Sequence, residues 1–176
     1  IVIVKKSSPY QKLSDLKGRT FALVDPASTS GNLVPRYVFE KNGINPEKDF
    51  KSLYYSGTHQ ASLIAVKEGK VDAAAIADEV YNLAISRGTL KATDLRVVHS
   101  SDPIPGSPFV VRTNLPKDLQ EKLRKGIMDL KGARFGKLGV ITAMDPAKDS
   151  DYNVIRELVA FQDKLNMDSS KWVVGE

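Results

Sequence analysis

Three consecutive residues carry hydroxyl side chains, which can donate hydrogen bonds to a ligand. Ser28, Thr29 and Ser30 stand before Gly31, between an apolar run that ends at Asp25-Pro26 and a segment with apolar residues at helical spacing. The first N–H groups of a helix lack intrahelical acceptors, and its dipole adds about half a positive charge there. Such a turn suits a small anion, and Gly31 would let a ligand approach the backbone. An ordinary helix N-cap uses the same residue types, so both interpretations stay open.

A histidine occupies the next turn of the same kind. His59 follows the strand-like run Lys51 to Tyr55 and precedes another segment with helical spacing. Ligands of open α/β folds bind at the carboxyl edge of the sheet, where both turns would lie. An imidazole there can donate to an anion oxygen, and a bound anion would favour its protonated form. A capping or surface histidine is the alternative.

Two acidic residues, Asp78 and Glu79, stand at a third turn of this kind. One carboxylate there can accept a proton from a protonated oxyanion or pair with a ligand amine. Equally, both can be favourable charges in the first turn of a helix. The sequence leaves these two interpretations in balance.

The composition excludes several functional classes. The 176 residues include 26 Lys and Arg, 21 Asp and Glu and no cysteine, which gives a net charge of +5. A disulfide scaffold, a Cys-ligated metal site and a thiol nucleophile are therefore ruled out. The positive residues are interleaved with acidic ones, so we expect no nucleic-acid partner, although a mild positive field favours a small anion. No Walker lysine, G-x-G-x-x-G or G-x-S-x-G motif is present, and we expect neither metal nor cofactor.

Strand-like and helix-like segments alternate along much of the chain. Short apolar runs at Phe21 to Val24, Lys51 to Tyr55, Val71 to Ala77 and Leu95 to Val98 predict strands, and helical spacing separates them. This alternation predicts βαβ units in a soluble α/β protein with a mainly parallel sheet and flanking helices.

The two ends of the chain carry further elements. The β-branched run Ile1 to Val4 predicts a buried strand and, without an initial methionine, suggests a piece of a longer chain. After a proline-rich crossover, Phe109 to Val111 predicts a strand. A helix is predicted after Pro116, and another from Tyr152 to Leu165.

Taken together, these turns resemble the phosphate, phosphite and phosphonate solute-binding proteins of ABC transporters. The resemblance runs over most of the chain, and the Ser-Thr-Ser-Gly-x-Leu-Val-Pro string is its most specific part. The matching strings are Asp-Leu-Lys-Gly-Arg-Thr at 15–20, Asp-Pro-Ala-Ser-Thr-Ser-Gly at 25–31, Ser-Gly-Thr-His at 56–59, Gly-Lys-Val-Asp-Ala-Ala at 69–74 and Ile-Pro-Gly-Ser-Pro at 104–108.

The resemblance implies a fold and a set of ligand contacts. The fold would be that of a type II periplasmic binding protein lacking the amino-terminal part of its first lobe. Residues 13–100 would form the second, ligand-binding lobe, and residues 1–8 and 103–176 the hinge strands and the carboxy-terminal part of the first lobe. The positions that match the ligand contacts are Ser28, Thr29, Ser30, His59, Glu79 and Ser107. Ser107 stands where aminophosphonate binders of the family carry an acidic residue.

The function implied is that of the solute-binding component of an ABC importer for a small phosphorus oxyanion. Its partners would be the oxyanion and a permease, its location periplasmic or extracytoplasmic, and it would make or break no bond. Two alternatives from other classes stay open. One is an enzyme built on the same two-lobed fold, and the other is a sensor domain that signals ligand occupancy to a fused partner.

Overall fold

The computed structural model describes residues 1–133, 141 and 143–164. Cα packing divides the chain into two units. One consists of Ile1–Ile104 and the segment that begins at Val154, and the other is Pro105–Asn153. The division into lobes at residues 1–8, 13–100 and 103–176 stays a prediction.

The described residues of the first unit form a five-stranded sheet with the order β3-β2-β4-β1-β5. Its strands are β1 (Val2–Lys5), β2 (Thr20–Leu23), β3 (Ser52–Tyr55), β4 (Ala73–Ala75) and β5 (Leu95–His99). β2 pairs in parallel with β3 and β4, whereas β1 pairs antiparallel with β4 and β5. The strands β2 to β5 thus point the same way, as the alternation predicts. β1 precedes the first βα unit and runs in the opposite direction, so the sheet is mixed.

The helices lie between and after these strands. They are α1 (Val34–Lys41), α2 (Pro46–Asp49), α3 (His59–Glu68), α4 (Asp78–Ser86), α5 (Lys117–Met128) and α6 (Asn153–Lys164). The sequence predicted all of them except the short α2, which Asn45 caps by accepting from the amides of Glu47 and Lys48. Leu165, predicted as the end of α6, lies outside the described residues. Within the described ranges, no helix is long and apolar enough to cross a membrane.

Both faces of the sheet are covered by apolar side chains, which explains the unbroken apolar runs. Val2, Val4 and Phe21 belong to one buried cluster, and Ile3 and Ala22 belong to the other. In the first cluster the ring centroid of Phe21 lies 5.0 Å from that of Phe39 and 4.9 Å from that of Phe50. Successive residues of β1 and β2 therefore pack into opposite layers, as the period of a strand requires.

The predicted strand from Phe109 to Val111 is wrong. This segment has no regular secondary structure, and Phe109 and Val110 are 59% and 86% exposed. Its aromatic and β-branched residues fit the composition of a strand, but a strand also needs a neighbour for its hydrogen bonds. No strand among the described residues pairs with it.

Candidate anion-binding site

Three strand-to-helix turns meet at the carboxyl edge of the sheet. The turn after β2 lies between those after β3 and β4, because β2 lies between these two strands. Gly57 N–H donates to the carbonyl of Val24 at 2.8 Å, which joins the turns after β2 and β3. Ala77 N–H donates to Nδ1 of His59 at 3.0 Å, which joins the turns after β3 and β4. The sheet thus brings the hydroxyl turn, the histidine and the acidic pair side by side.

The hydroxyl turn caps a π-helical turn, Thr29–Leu33, that leads into α1. Ser28 is the N-cap, and its Oγ accepts from Gly31 N–H at 3.0 Å, which leaves its own hydrogen for donation. In the described part of the chain, the half-buried hydroxyls of Thr29 and Ser30 have no hydrogen-bond partner. Their amides are the first of the turn and lack intrahelical acceptors. The turn therefore offers several donors to an anion.

Gly31 is needed for packing against β2. Its carbonyl accepts from Val24 N–H at 3.0 Å, and the residue is buried. A Cβ at this position would overlap the Val24 side chain and lie 2.9 Å from Ser28 Oγ. The approach of a ligand to its backbone, for which the sequence singled out this glycine, stays a prediction.

His59 is the first residue of α3 and is fixed in one tautomer. Because Nδ1 accepts from the amide of Ala77, the imidazole is neutral and carries its hydrogen on Nε2. Burial lowers the pKa of His59. The imidazole can thus donate from Nε2 without the protonated form that the sequence suggested for a bound anion.

Glu79 stands in the first turn of α4, two residues after the amide that binds His59. Both it and Asp78 are exposed, and Ala77 supplies no side-chain cap. This placement suits a ligand contact and a favourable helix-dipole charge alike. A ligand-contacting role for Glu79 stays a prediction.

Ser107 belongs to the second unit, where it is exposed in an irregular segment. Its assignment to the site stays a prediction. The other five predicted contacts, Ser28, Thr29, Ser30, His59 and Glu79, all lie at the carboxyl edge of the first unit. Among the residues whose positions are described, no group of three or more His, Asp or Glu is arranged to hold a metal ion.

A buried polar network beneath the hydroxyl turn was not predicted. It consists of Asn32, Arg36 and Tyr55, which are 1%, 3% and 8% exposed. Asn32 and Arg36 are four residues apart and so share a helix face, which is a signal visible in the sequence. The pairing with Tyr55 was not visible, because it depends on β3 lying beside β2.

Comparison with known proteins identifies relatives of the whole chain. Residues 1–152 match the family of the ABC transporter, phosphonate, periplasmic substrate-binding protein. The phosphonates-binding periplasmic protein of Escherichia coli (strain K12) is 34% identical over 181 residues, covering 97% of this chain and 53% of the relative. The chain therefore spans about half the length of that relative.

Many solved structures are similar to this one, and two of them are binding proteins for phosphonates. A binding protein component of an ABC phosphonate transporter from Pseudomonas aeruginosa is 31% identical, with a TM-score of 0.72 over 94% of this chain and 58% of that one. PhnD1 from Prochlorococcus marinus, in complex with methylphosphonate, has a TM-score of 0.78 over 96% of this chain and 66% of that one. At 20% identity, the second similarity shows the fold alone. The chain thus has the fold of a type II periplasmic binding protein and belongs to the family of phosphonate periplasmic substrate-binding proteins of ABC transporters.

Proposed function

We propose that this chain supplies the oxyanion-binding lobe of the solute-binding component of an ABC importer. The solute is a small phosphorus oxyanion, namely a phosphonate, phosphite or phosphate. The observation that carries the proposal is the adjacency of the Ser28–Ser30 turn to His59, whose Nδ1 is occupied and whose Nε2–H is a donor. Hydroxyl, amide and imidazole donors at one sheet edge can replace the hydration shell of an oxyanion.

The ligand is bound without turnover. A serine or threonine nucleophile needs a base within hydrogen-bond reach. In the part of the chain that the structure describes, no side-chain base is hydrogen-bonded to Ser28, Thr29 or Ser30, and Ser28 Oγ instead accepts from Gly31 N–H. This arrangement supports a binding site rather than a catalytic one.

The remaining parts of the proposal follow from the family. Residues 13–100 form the ligand-binding lobe, and residues 1–8 and 103–176 form the hinge and part of the other lobe. Glu79 contacts the ligand beside the oxyanion donors, and Ser107 stays a predicted ligand contact. A permease receives the ligand, and the protein acts outside the cytoplasm. The names of the Escherichia coli and Pseudomonas aeruginosa relatives, which refer to phosphonates, support this solute class.

Calorimetric titration tests the function. The ligands are phosphite, methylphosphonate, phosphate, 2-aminoethylphosphonate and sulfate, added to this chain and to a version extended at its amino end. We expect saturable binding of at least one phosphorus oxyanion by the extended protein and no binding of sulfate. The absence of a binding signal with every phosphorus ligand in both proteins would contradict the proposal.

Substitutions at two adjacent turns test the site. Ser30→Ala and His59→Ala each remove a donor to a charged acceptor, so we expect each to weaken affinity at least about tenfold, and the double variant to lose most of it. Circular dichroism should show an intact fold. Ser7→Ala, an exposed serine after β1, serves as the matched control and should bind like the wild type. Unchanged affinity in the double variant would remove both residues from the site.

A further inference from the structure

The side chain of Asn32 is held at both of its ends beneath the hydroxyl turn. Its Nδ2 donates to the carbonyl of Pro26 at 2.7 Å. Its Oδ1 accepts from Arg36 Nε at 2.8 Å and from the hydroxyl of Tyr55 at 3.0 Å. Because one end faces an acceptor and the other faces two donors, the amide has one satisfied orientation.

These bonds fix the turn that carries the proposed oxyanion donors. Pro26 and Asn32 bracket residues 27–31, so the bond between them closes this turn across its base. Tyr55 is the last residue of β3, and the turn after β3 carries His59. The bond from Tyr55 to Asn32 therefore sets the position of one donor group relative to the other.

Stability alone does not account for such a network. Arg36 has a side chain only 3% exposed, and its guanidinium reaches Glu47 Oε1 at 2.7 Å, on a side chain 45% exposed. A buried charge with its polar partners is often no more stabilising than apolar residues of the same volume, because the desolvation of the charge offsets the attraction of its partners. What the network provides is a directional constraint on Asn32.

We propose that Asn32, held by Arg36 and Tyr55, is a positioning residue that sets the Ser28–Ser30 turn against His59 and thereby the oxyanion affinity. This inference rests on the proposed function, because it concerns the same site. It predicts that loosening Asn32 weakens binding even though the three network residues are buried and are not among the proposed oxyanion donors.

Two variants test the positioning role. Tyr55→Phe keeps the buried ring and removes the hydroxyl that donates to Asn32 Oδ1 and accepts from Arg36 Nη2 at 3.4 Å. Asn32→Asp replaces the donor to Pro26 by an acceptor and adds a negative charge. Tyr54→Phe, whose hydroxyl belongs to the neighbouring and partly exposed side chain of β3, is the matched control. All variants are studied well below their thermal midpoints, so that each is fully folded.

The first measurement needs no ligand. Amide hydrogen exchange is recorded for Ser28, Gly31 and Leu33, whose amides are hydrogen-bonded within the turn, and, as a reference, for Leu63 and Val66 in α3. We expect Tyr55→Phe and Asn32→Asp to accelerate exchange in the turn about tenfold with the reference amides unchanged, because local opening alone becomes easier. Equal acceleration of both sets would mean a general structural role, and unchanged exchange in the turn would overturn the inference.

The second measurement is calorimetric titration with methylphosphonate, phosphite and inorganic phosphate. With each ligand that binds the wild-type protein, we expect Tyr55→Phe to lose about tenfold in affinity and Tyr54→Phe to lose none. The negative charge of Asn32→Asp repels an anion by itself, so the affinity test uses Tyr55→Phe alone. A Tyr55→Phe variant that binds as tightly as the wild type would overturn the positioning role and leave the proposed function standing. A wild-type protein that binds none of the three would refute the proposed function, and hydrogen exchange would still decide the role of Asn32.

Discussion

At the residue scale, the amide of Ala77 determines which nitrogen of His59 can meet a ligand. An imidazole nitrogen accepts a hydrogen bond only when it carries no proton, so the bond to Nδ1 places the hydrogen on Nε2. The same bond opposes protonation, because a second hydrogen on the ring would face the amide hydrogen of Ala77. A neutral, oriented donor follows from a contact between residues 18 positions apart in the chain.

This arrangement predicts a pH dependence of stability. Burial holds the pKa of His59 in the folded protein below its ordinary value of about 6.5, and it does the same for His99. The unfolded chain therefore binds more protons below pH 6.5, and the free energy of unfolding should fall as the pH drops through that value. Urea unfolding between pH 8 and pH 5 measures this loss.

Variants separate the two histidines. His59→Gln should reduce the loss of stability between pH 8 and pH 5, and His99→Gln should leave the part contributed by His59. In NMR spectra, the amide of Ala77 should titrate with the midpoint of the His59 ring. A His59 titration midpoint at or above the ordinary pKa would contradict the hydrogen bond. So would an Ala77 amide whose chemical shift does not change as His59 titrates.

At the scale of elements, the connection from β2 to α1 is a rigid turn. Val24 N–H donates to the carbonyl of Gly31, and Leu33 N–H donates to the carbonyl of Ser28, each at 3.0 Å. Pro35 fits in the first turn of α1, where its missing N–H costs nothing, as the sequence predicts. These bonds hold the three hydroxyls against the end of β2.

Gly31→Ala should disturb this turn. The added Cβ overlaps the Val24 side chain, which is buried, so either the turn or the strand must shift. We expect a loss of about 1–3 kcal/mol in the free energy of unfolding, together with weaker oxyanion binding. Urea denaturation and calorimetry measure the two effects.

Gly126→Ala is the matched control for this substitution. Gly126 lies inside α5, and a Cβ there meets nothing within 4 Å. Alanine should therefore stabilise by about 0.5–1 kcal/mol through helix propensity and leave affinity unchanged. A Gly31→Ala variant as stable as the wild type would contradict the predicted overlap between the added Cβ and the Val24 side chain.

At the scale of the whole molecule, contacts between distant parts of the chain join the first unit together. Asp72, just before β4, accepts from the amide and hydroxyl of Thr20 at 2.9 and 2.8 Å and from the hydroxyl of Tyr10 at 3.1 Å. It thereby links β4 to the start of β2 and to the loop after β1. Burial raises the pKa of Asp72, but the bonds from Thr20 and Tyr10 outweigh burial and lower it overall.

Asp72→Asn should destabilise the protein in a pH-dependent way. The variant loses the charge that strengthens these bonds, so we expect a loss of about 1–3 kcal/mol in the free energy of unfolding at pH 7. Because the folded-state pKa is lowered, the advantage of the wild type is present above about pH 3.9 and is lost as the pH falls through the folded value. Urea unfolding at pH 7 and pH 3 measures both.

An exposed substitution, Asp118→Asn in α5, should change stability by less than about 0.5 kcal/mol. A difference between wild type and Asp72→Asn that does not shrink at pH 3 would contradict the assignment.

Much of the fold was predictable because local patterns carry it. The period of apolar residues predicted strands β1 to β5 and helices α1 and α3 to α6. A buried face is visible in the sequence because its apolar residues recur at the spacing of a strand or a helix. The same pattern failed at Phe109 to Val111, where composition fits a strand but no described partner strand exists. A strand depends on its neighbour, which the local sequence does not name.

The sequence by itself determined the βα units, the hydroxyl turn at Ser28–Ser30 and the presence of His59 at the next turn, because these follow from residue types and short-range spacing. Only the tertiary structure decided the strand order that brings these turns together, the antiparallel course of β1 and the tautomer of His59. It also decided the hydrogen bonds that hold Asn32, of which the bond to Tyr55 joins residues 23 positions apart. Partners at such distances are chosen by how the elements pack, and the packing depends on the whole chain at once.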